Sequence, residues 1–324
     1  MQQVAGGLPL LAEPGHTGPR KGLRVAALAE RLQKRRILVS DGAWGTRFAS
    51  MGLEPGECAE LWNSTNPDRV REVAASYLEA GSDLILTNTF QGSPLALERH
   101  GLAERAAELN AAGARISLEA AAGSGVLVAA SIGPSGGLLE PLGALSLEQL
   151  EASFRNQIRA VVGAGVRLLC VETMTAIEEA CAAVRAGRAV ARELGVELEV
   201  MATLSYERTP AGFRTVMGVD IPTAVRALEQ AGADVLGSNC GNGIEQMVPI
   251  TAEYRRHSGR PLLIQSNAGL PQLLGGRTVF RQSPADMARW VPDLLAAGAS
   301  IIGGCCGTGP DHIRALRAAV DRVR

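Results

Sequence analysis

The sequence predicts a single-domain α/β protein with the (β/α)8 TIM barrel fold, and three observations support this. Short aliphatic and β-branched runs alternate with longer alanine-rich amphipathic segments along the 324 residues. The short runs are continuously apolar, which is typical of parallel strands covered by helices on both faces. An Ala-Gly pair also recurs before strand runs, in "LEAGSD", "VGAGVR", "EQAGAD" and "LAAGAS", where glycine can end a helix in the left-handed conformation.

Eight runs are predicted to be the barrel strands. In chain order they are "RILVSDGAWG" (36–45), "DLILTNTF" (83–90), "GVLVAASIGP" (125–134), "RLLCVETM" (167–174), "ELEVMATLSYE" (197–207), "DVLGSNCG" (234–241), "PLLIQSNAG" (261–269) and "SIIGGCCG" (300–307). Helical patterns lie between them, as at 67–81, 146–165, 221–233 and 284–299. An open dinucleotide-binding sheet has no support, because no G-x-G-x-x-G follows the first run.

The composition indicates a globular domain. Hydrophobic residues make up 46% of the chain and can fill a large core, while 20% charged residues leave a solvated surface. Residues 26–324 are predicted to form the barrel and residues 1–25 a flexible N-terminal lead-in. The N-terminus lacks the ordered regions of a secretory signal, and no apolar stretch is long enough to span a membrane. We therefore expect a cytoplasmic protein that does not enter a membrane.

The charge balance points to small-molecule partners. Thirty-two basic residues against thirty-three acidic ones give a net charge of −1. No global field therefore draws the chain to nucleic acid or to an anionic membrane.

The cysteines pose a separate question. Six cysteines are too few for a disulfide scaffold in a chain of this length, so free thiols are expected. Cys170 and Cys181 lie in apolar patterns and are predicted to be core residues. The adjacent pair Cys305 and Cys306, in "GGCCG", leaves three interpretations open: buried small hydrophobes, a redox pair, or two ligands of one metal ion.

Polar side chains close every predicted strand. Because active sites of such barrels lie at the carboxyl ends of the strands, these residues are expected to converge on one rim. They are Asp41, Asn88, Ser131, Glu172, Ser205, Asn239 with Cys240, Asn267, and Cys305 with Cys306.

Three cysteines of this rim favour the metal interpretation. Cys240 ends the sixth strand run, and Cys305 and Cys306 end the eighth. Three sulfurs leave one position of a tetrahedral Zn²⁺ open, as in catalytic sites, and soft thiolates favour zinc over magnesium or calcium. Neighbours on a regular strand face opposite sides, so the chain must bend there. Gly303, Gly304 and Gly307 are expected to supply that freedom.

Six motifs resemble the homocysteine S-methyltransferase family. They are "DGAWGT" (41–46), "TNTF" (87–90), "VET" (171–173), "SNCG" (238–241), "SNAGLP" (266–271) and "GGCCGTGPDHI" (303–313). The resemblance runs from about residue 34 to the C-terminus. Within the family, the motifs most resemble the homocysteine-binding module at the N-terminus of cobalamin-dependent methionine synthase.

The resemblance implies a barrel in which Cys240, Cys305 and Cys306 bind zinc, and the zinc takes the homocysteine thiolate as its fourth ligand. One departure is Trp44, where methionine synthase modules usually carry methionine, and its indole could alter which thiol or donor fits. Another is that these 324 residues include no folate, corrinoid or activation module.

Substrate contacts are assigned at the same rim. Glu172 is the first choice for the substrate's ammonium, with a carboxylate paired to an arginine as the alternative. Backbone N–H groups of Gly42 and Ala43 could meet the carboxylate, and Asp41 could orient that turn or help to hold the amine. Two amides at the rim, Asn88 and Asn239, are further candidates, and each of the rim amides could equally satisfy backbone groups.

The function expected is zinc-dependent methyl transfer to L-homocysteine, giving L-methionine. A methylcorrinoid on a separate protein is the favoured donor, and S-methylmethionine or a betaine-type donor is the alternative. Two other functions remain open: a corrinoid-linked methyltransferase or demethylase with another acceptor, and a thiol sensor using Cys305 and Cys306. His100, His257 and His312 are expected to lie away from the strand ends.

Overall fold

The computed structural model confirms the barrel. It describes residues 28–35, 37–275 and 277–323. The predicted lead-in, residues 1–25, lies outside these ranges. Within them, no helix is both long and apolar enough to cross a membrane.

Eight parallel strands of the described chain form the barrel. They are β1 (Leu38–Val39), β2 (Leu84–Leu86), β3 (Leu127–Ile132), β4 (Leu168–Met174), β5 (Glu199–Leu204), β6 (Val235–Gly243), β7 (Leu262–Asn267) and β8 (Ile301–Gly304). Each strand pairs with its neighbours in chain order, and β8 pairs with β1. A single parallel bridge between Ser40 and Leu84 joins β1 to β2 and closes the ring.

Helices surround the strands. They are α1 (Leu28–Arg35), α2 (Gly45–Ser50), α3 (Trp62–Thr65), α4 (Pro67–Glu79), α5 (Pro94–Glu98), α6 (Ala106–Ala120), α7 (Leu147–Gly163), α8 (Ile177–Leu194), α9 (Ile221–Ala231), α10 (Ile244–His257), α11 (Pro284–Ala288), α12 (Val291–Ala296) and α13 (Pro310–Arg322). Short hairpins occupy the two long loops after β5 and β7 (Glu207–Thr209 with Gly212–Arg214, and Gln272–Leu274 with Arg277–Val279).

The recurring Ala-Gly pairs end helices as predicted. Gly81, Gly165, Gly232 and Gly298 all have positive φ, between 89° and 117°. Glycine adopts this conformation without the Cβ clash that other residues meet, so each helix can end there and the chain can turn into the next strand.

Two apolar layers hold the barrel together. One fills its interior with side chains from the strands, including Leu84, Cys170 and Met201. Leu28 of α1 joins this interior layer, and its backbone N–H donates to Glu199 at the start of β5. The second layer lies between strands and helices and contains Cys181. Both cysteines expected in the core are therefore there. Helix α1 thus packs at the amino ends of the strands, opposite the polar residues at their carboxyl ends.

Candidate metal centre and acceptor cavity

Three cysteine sulfurs converge at the carboxyl end of the barrel. The sulfurs of Cys240, Cys305 and Cys306 all lie within 4.8 Å of one another, and those of Cys240 and Cys306 are 3.8 Å apart. All three residues are partly exposed, unlike Cys170 and Cys181. A redox pair of Cys305 and Cys306 alone does not account for the third sulfur.

Cys240 owes its direction to a left-handed backbone. Its φ is 60°, which non-glycine residues rarely adopt, and Gly241 follows with φ of 70°. The pairing of β6 with β7 shifts register between Asn239 and Gly243. The strand therefore bulges where the sulfur leaves it, as bulges beside functional sites commonly do.

Cys305 and Cys306 lie in a turn that follows β8. The strand ends at Gly304, and the Cys305 N–H still donates to Ser266 O on β7 at 2.7 Å. The Cys305 carbonyl then accepts from both the N–H and the hydroxyl of Thr308. Because the two cysteines have left the strand, its alternation of faces no longer applies, and both sulfurs reach the same point.

The glycines around this turn act differently from the expectation. Only Gly307 has a positive φ, of 80°. Gly303 and Gly304 are required for close packing: a Cβ on Gly303 would lie 1.9 Å from Ser40 Oγ, and one on Gly304 would lie 2.2 Å from Thr308 Oγ1. The bend therefore comes from the end of the strand, and the two glycines let β8 press against β1 and the turn.

This packing gives a prediction for Gly303→Ala. The added methyl group would also meet the Asp41 carbonyl at 2.9 Å, so the strand must shift, and we expect stability to fall by about 2–3 kcal/mol. Urea unfolding of the metal-free protein measures this. Gly163→Ala is the matched control, because a Cβ there meets nothing within 4 Å and alanine favours the helix. Equal midpoints for the two variants would contradict the packing role.

Hydrogen bonds among the three thiols favour the loss of one proton from the cluster. Hydrogen bonds from the thiols of Cys305 and Cys306 lower the pKa of Cys240, and these bonds raise the pKa of both donors. Without a cation, one thiolate forms readily and a second is disfavoured. Tetrahedral Zn–S bonds of about 2.3 Å separate sulfurs by about 3.8 Å, which matches the Cys240–Cys306 distance. The donor set and its spacing therefore fit zinc.

A cavity of about 560 Å³ opens onto the three sulfurs. Its apolar wall includes the aromatic rings of Trp44, Phe48 and Phe90. Its polar lining includes Glu57, Cys58, Glu60, Asn88, Gln91, Arg99, His100, Ser131, Glu172, Thr173 and Gln265. This volume is within the range of small-molecule sites, and a small amino acid fills only part of it.

Glu172 is the carboxylate that faces this cavity beside the sulfurs. The Ser131 hydroxyl donates to Oε1, and the Asn239 amide donates to Oε2 at 3.3 Å. Burial raises the pKa of Glu172 to about 8, although the Ser131 hydrogen bond opposes the rise. No described arginine forms an ion pair with Glu172. The alternative prediction, a carboxylate paired to an arginine, therefore has no support among the described residues. A buried carboxylate without a cation is suited to receive one from a ligand.

Asp41 lies beneath the turn after β1 and does not line the cavity. Its Oδ2 accepts from Trp44 Nε1 and from Leu86 N–H, each at 2.7 Å. Its buried Oδ1 has no hydrogen-bond partner among the described residues. Burial raises the pKa of Asp41 to about 7. Asp41 therefore accepts a hydrogen bond from the indole of Trp44, which lines the cavity.

Other predicted contacts are already engaged within the protein. Gly42 and Ala43 line the cavity, but the Ala43 N–H donates to Thr308 Oγ1 at 3.1 Å and is not free for a substrate carboxylate. Asn88 also lines it, while its amide donates to Ala59 O and Asn63 Oδ1. Asn239 is fully buried behind Glu172 and does not line the cavity.

Several lining residues were not found by sequence reasoning. Cys58 and Glu60 come from the segment between α2 and α3, which follows no strand directly. Glu60 is buried, and its Oε1 accepts from the Gln91 N–H at 2.7 Å. His100, which follows α5 and lies away from the strand ends as expected, also lines the cavity. His257 pairs with Glu253 on α10 instead.

Comparison with known proteins agrees with this geometry. The family model described as homocysteine S-methyltransferase matches residues 38–320. Methionine synthase of Mycobacterium tuberculosis is 30% identical over 302 residues, which are 90% of this chain and 25% of that protein. Methionine synthase of Mycobacterium leprae is likewise 30% identical, over 89% of this chain and 24% of its own. The chain thus spans about a quarter of the length of these relatives.

A solved structure resembles the chain over nearly its whole length. The metallated form of the homocysteine methyltransferase MmuM from Escherichia coli is 25% identical, with a TM-score of 0.73. The match covers 90% of this chain and 99% of that one. With the family model matched from the first barrel strand into the last helix, the chain belongs to the homocysteine S-methyltransferase family.

Proposed function

We propose that the protein is a zinc-dependent methyltransferase that transfers a methyl group to the thiolate of L-homocysteine and yields L-methionine. One observation carries the proposal: three converging sulfurs open into the same cavity as a buried carboxylate with which no described arginine or lysine forms an ion pair. A thiol that also carries an ammonium group complements both features. Membership of the family supports the same acceptor.

Cys240, Cys305 and Cys306 would hold the zinc. Three sulfur ligands leave one tetrahedral position for a further ligand, which is the arrangement of catalytic rather than structural zinc. When bound, the ion supplies a Lewis acid that keeps the acceptor's sulfur deprotonated at neutral pH, where a free thiol is mostly protonated.

The protein's own residues bind and orient the acceptor. Glu172 receives the ammonium, and the bonds from Ser131 and Asn239 hold its carboxylate in one orientation. The rings of Trp44 and Phe90 exclude water from the reacting sulfur, which strengthens the attraction between carboxylate and ammonium. The sulfur then displaces the methyl group from its donor, forming a carbon–sulfur bond as the donor's bond to that methyl group breaks.

The donor we propose is a methylated corrinoid carried by a separate protein. The 30% identity to two methionine synthases supports this choice. S-methylmethionine is the rival donor, followed by betaine-type compounds. The cavity is large enough to leave space beside a bound amino acid, so homocysteine can be the acceptor with either class of donor.

Methyl transfer with each donor in turn tests the proposal. Zinc-loaded protein is incubated with L-homocysteine and methylcobalamin, a methylated corrinoid protein, S-methylmethionine or betaine, and L-methionine is quantified by mass spectrometry. We expect methionine with a corrinoid donor and none without homocysteine. If S-methylmethionine is the only donor that yields methionine, homocysteine remains the proposed acceptor and S-methylmethionine replaces the corrinoid as the donor. No methionine from any donor would contradict the proposed function.

A further inference from the structure

We infer that Asn239 is a positioning residue that sets the span between the ammonium site and the sulfur site, and so selects acceptors of homocysteine's chain length. The inference rests on the proposed function, because it concerns how the protein selects homocysteine by the length of its chain. It replaces the expectation that Asn239 touches the substrate: the residue is fully buried and does not line the cavity.

The amide nitrogen of Asn239 joins the two sites directly. Nδ2 donates to Glu172 Oε2 at 3.3 Å and lies 3.8 Å from Cys305 Sγ. It also donates to Thr173 Oγ1 at 2.7 Å. A side-chain amide has two N–H bonds, so they are shared among these three acceptors. One planar group therefore contacts both the carboxylate for the ammonium and a sulfur of the metal centre.

The amide oxygen anchors this group in the barrel. Oδ1 accepts from the Thr203 hydroxyl on β5 and from the Thr173 N–H on β4, each at 2.7 Å. Both lone pairs are thus used, and the amide cannot flip without losing these bonds. Asn239 itself lies on β6, and Cys305 follows β8, so one side chain links β4, β5, β6 and the turn after β8.

Asn239 also holds the strained residue after Glu172. Thr173 has a φ of 61°, a left-handed conformation that is rare for a β-branched side chain. Such strain persists only where surrounding contacts enforce it, and here Asn239 binds both the N–H and the hydroxyl of Thr173. The direction in which β4 presents the Glu172 carboxylate therefore depends on this amide.

These contacts fix the distance between the ammonium site and the sulfur site. Ser131 holds one oxygen of Glu172 and Asn239 holds the other, so the carboxylate cannot follow a shorter ligand. Cysteine is one methylene shorter than homocysteine, and its ammonium and sulfur cannot both reach their sites. Loss of one methylene typically changes kcat/KM by about 10–200-fold, and a rigid span places this protein within that range.

Variants of Asn239 test the inference through acceptor selectivity. Asn239→Ala removes the whole link, whereas Asn239→Asp keeps the acceptor oxygen and lacks the N–H donors. Wild type should prefer homocysteine to cysteine at least about tenfold in kcat/KM, and both variants should bring the ratio within about threefold. Asn110→Ala is the matched control, because this buried amide donates to Gly92 O and Ala106 O and should leave the ratio unchanged.

Two readouts do not depend on turnover. Visible absorption of the cobalt(II)-substituted protein, titrated with each thiol, should show tighter homocysteine binding in wild type and similar binding of both thiols in the Asn239 variants. A crystal structure of metal-free Asn239→Ala should show Glu172 in a new rotamer and Thr173 relaxed from positive φ.

The outcomes separate the two claims. Wild type that neither binds nor methylates homocysteine overturns the proposed function, and the inference with it. Wild type that is active and selective, with Asn239 variants that lose rate equally for both thiols and keep Glu172 in place, overturns the inference alone.

Discussion

Cys240→Ser should abolish methyl transfer to homocysteine and leave well under one zinc ion per chain after dialysis. The substitution replaces a soft thiolate with a hydroxyl that is protonated at neutral pH, so two sulfurs remain to hold the ion. Loss of a residue that only supports a metal ligand costs about 10–100-fold, and loss of the ligand itself should lower kcat/KM by more, at least about 1000-fold.

Metal analysis and turnover are measured on the same preparation of Cys240→Ser. Cys181→Ala is the control, because this cysteine lies in the layer between strands and helices. It should keep its zinc and most of its activity. If Cys240→Ser retained one zinc ion per chain and normal turnover, the three cysteines would not form the metal centre.

Glu172→Gln should weaken homocysteine binding about 10–100-fold, because the ammonium loses a charged hydrogen-bond partner worth about 1.5–3 kcal/mol. Calorimetric titration of the zinc-loaded protein measures this effect. Glu148→Gln, an exposed substitution in the first turn of α7, is the control and should bind normally. Unchanged affinity in Glu172→Gln would place the ammonium elsewhere.

The same substitution should stabilise the ligand-free protein at alkaline pH. Burial raises the pKa of Glu172 to about 8 and that of Asp41 to about 7, above the values near 4 in the unfolded chain. Stability from the neutral carboxyls is complete below pH 4 and is lost progressively as the pH rises from about 4 to the raised pKa values of about 7 and about 8. Glu172→Gln removes the loss of stability that ionisation of Glu172 causes.

Urea unfolding of the metal-free protein at pH 5 and pH 8.5 tests this linkage. Relative to wild type, Glu172→Gln should gain about 2–4 kcal/mol between the two pH values. A parallel loss of stability in both proteins would show that Glu172 is ionised at neutral pH in the ligand-free state. If Glu172→Gln binds homocysteine less tightly and is more stable at alkaline pH, the Glu172 carboxylate serves ligand binding at a cost in stability.

The cysteine cluster could be predicted from the sequence because barrel topology decides it. Cys240 lies near the carboxyl end of strand six and the Cys305–Cys306 pair follows strand eight, and the carboxyl ends of parallel strands share one rim. The helix ends at the Ala-Gly pairs were equally accessible, because a local conformational rule determines them.

Other parts of the site depend on tertiary contacts that no local pattern reveals. The left-handed backbone of Thr173 is held by Asn239, which lies on another strand, so the "VET" motif gives no sign of it. Cys58 and Glu60 reach the cavity from a segment that follows a helix. Asn239 looks like a substrate contact in sequence, but in the structure it is fully buried and donates a hydrogen bond to Glu172.

Zinc X-ray absorption with and without L-homocysteine tests the central claim most directly. We expect three sulfur neighbours and one lighter atom for the zinc-loaded protein, and four sulfur neighbours once homocysteine is added. We also expect methionine to leave the three-sulfur spectrum unchanged, because a thioether is a weaker ligand than a thiolate. A spectrum with fewer than three sulfurs, or one that homocysteine does not alter, would contradict this claim.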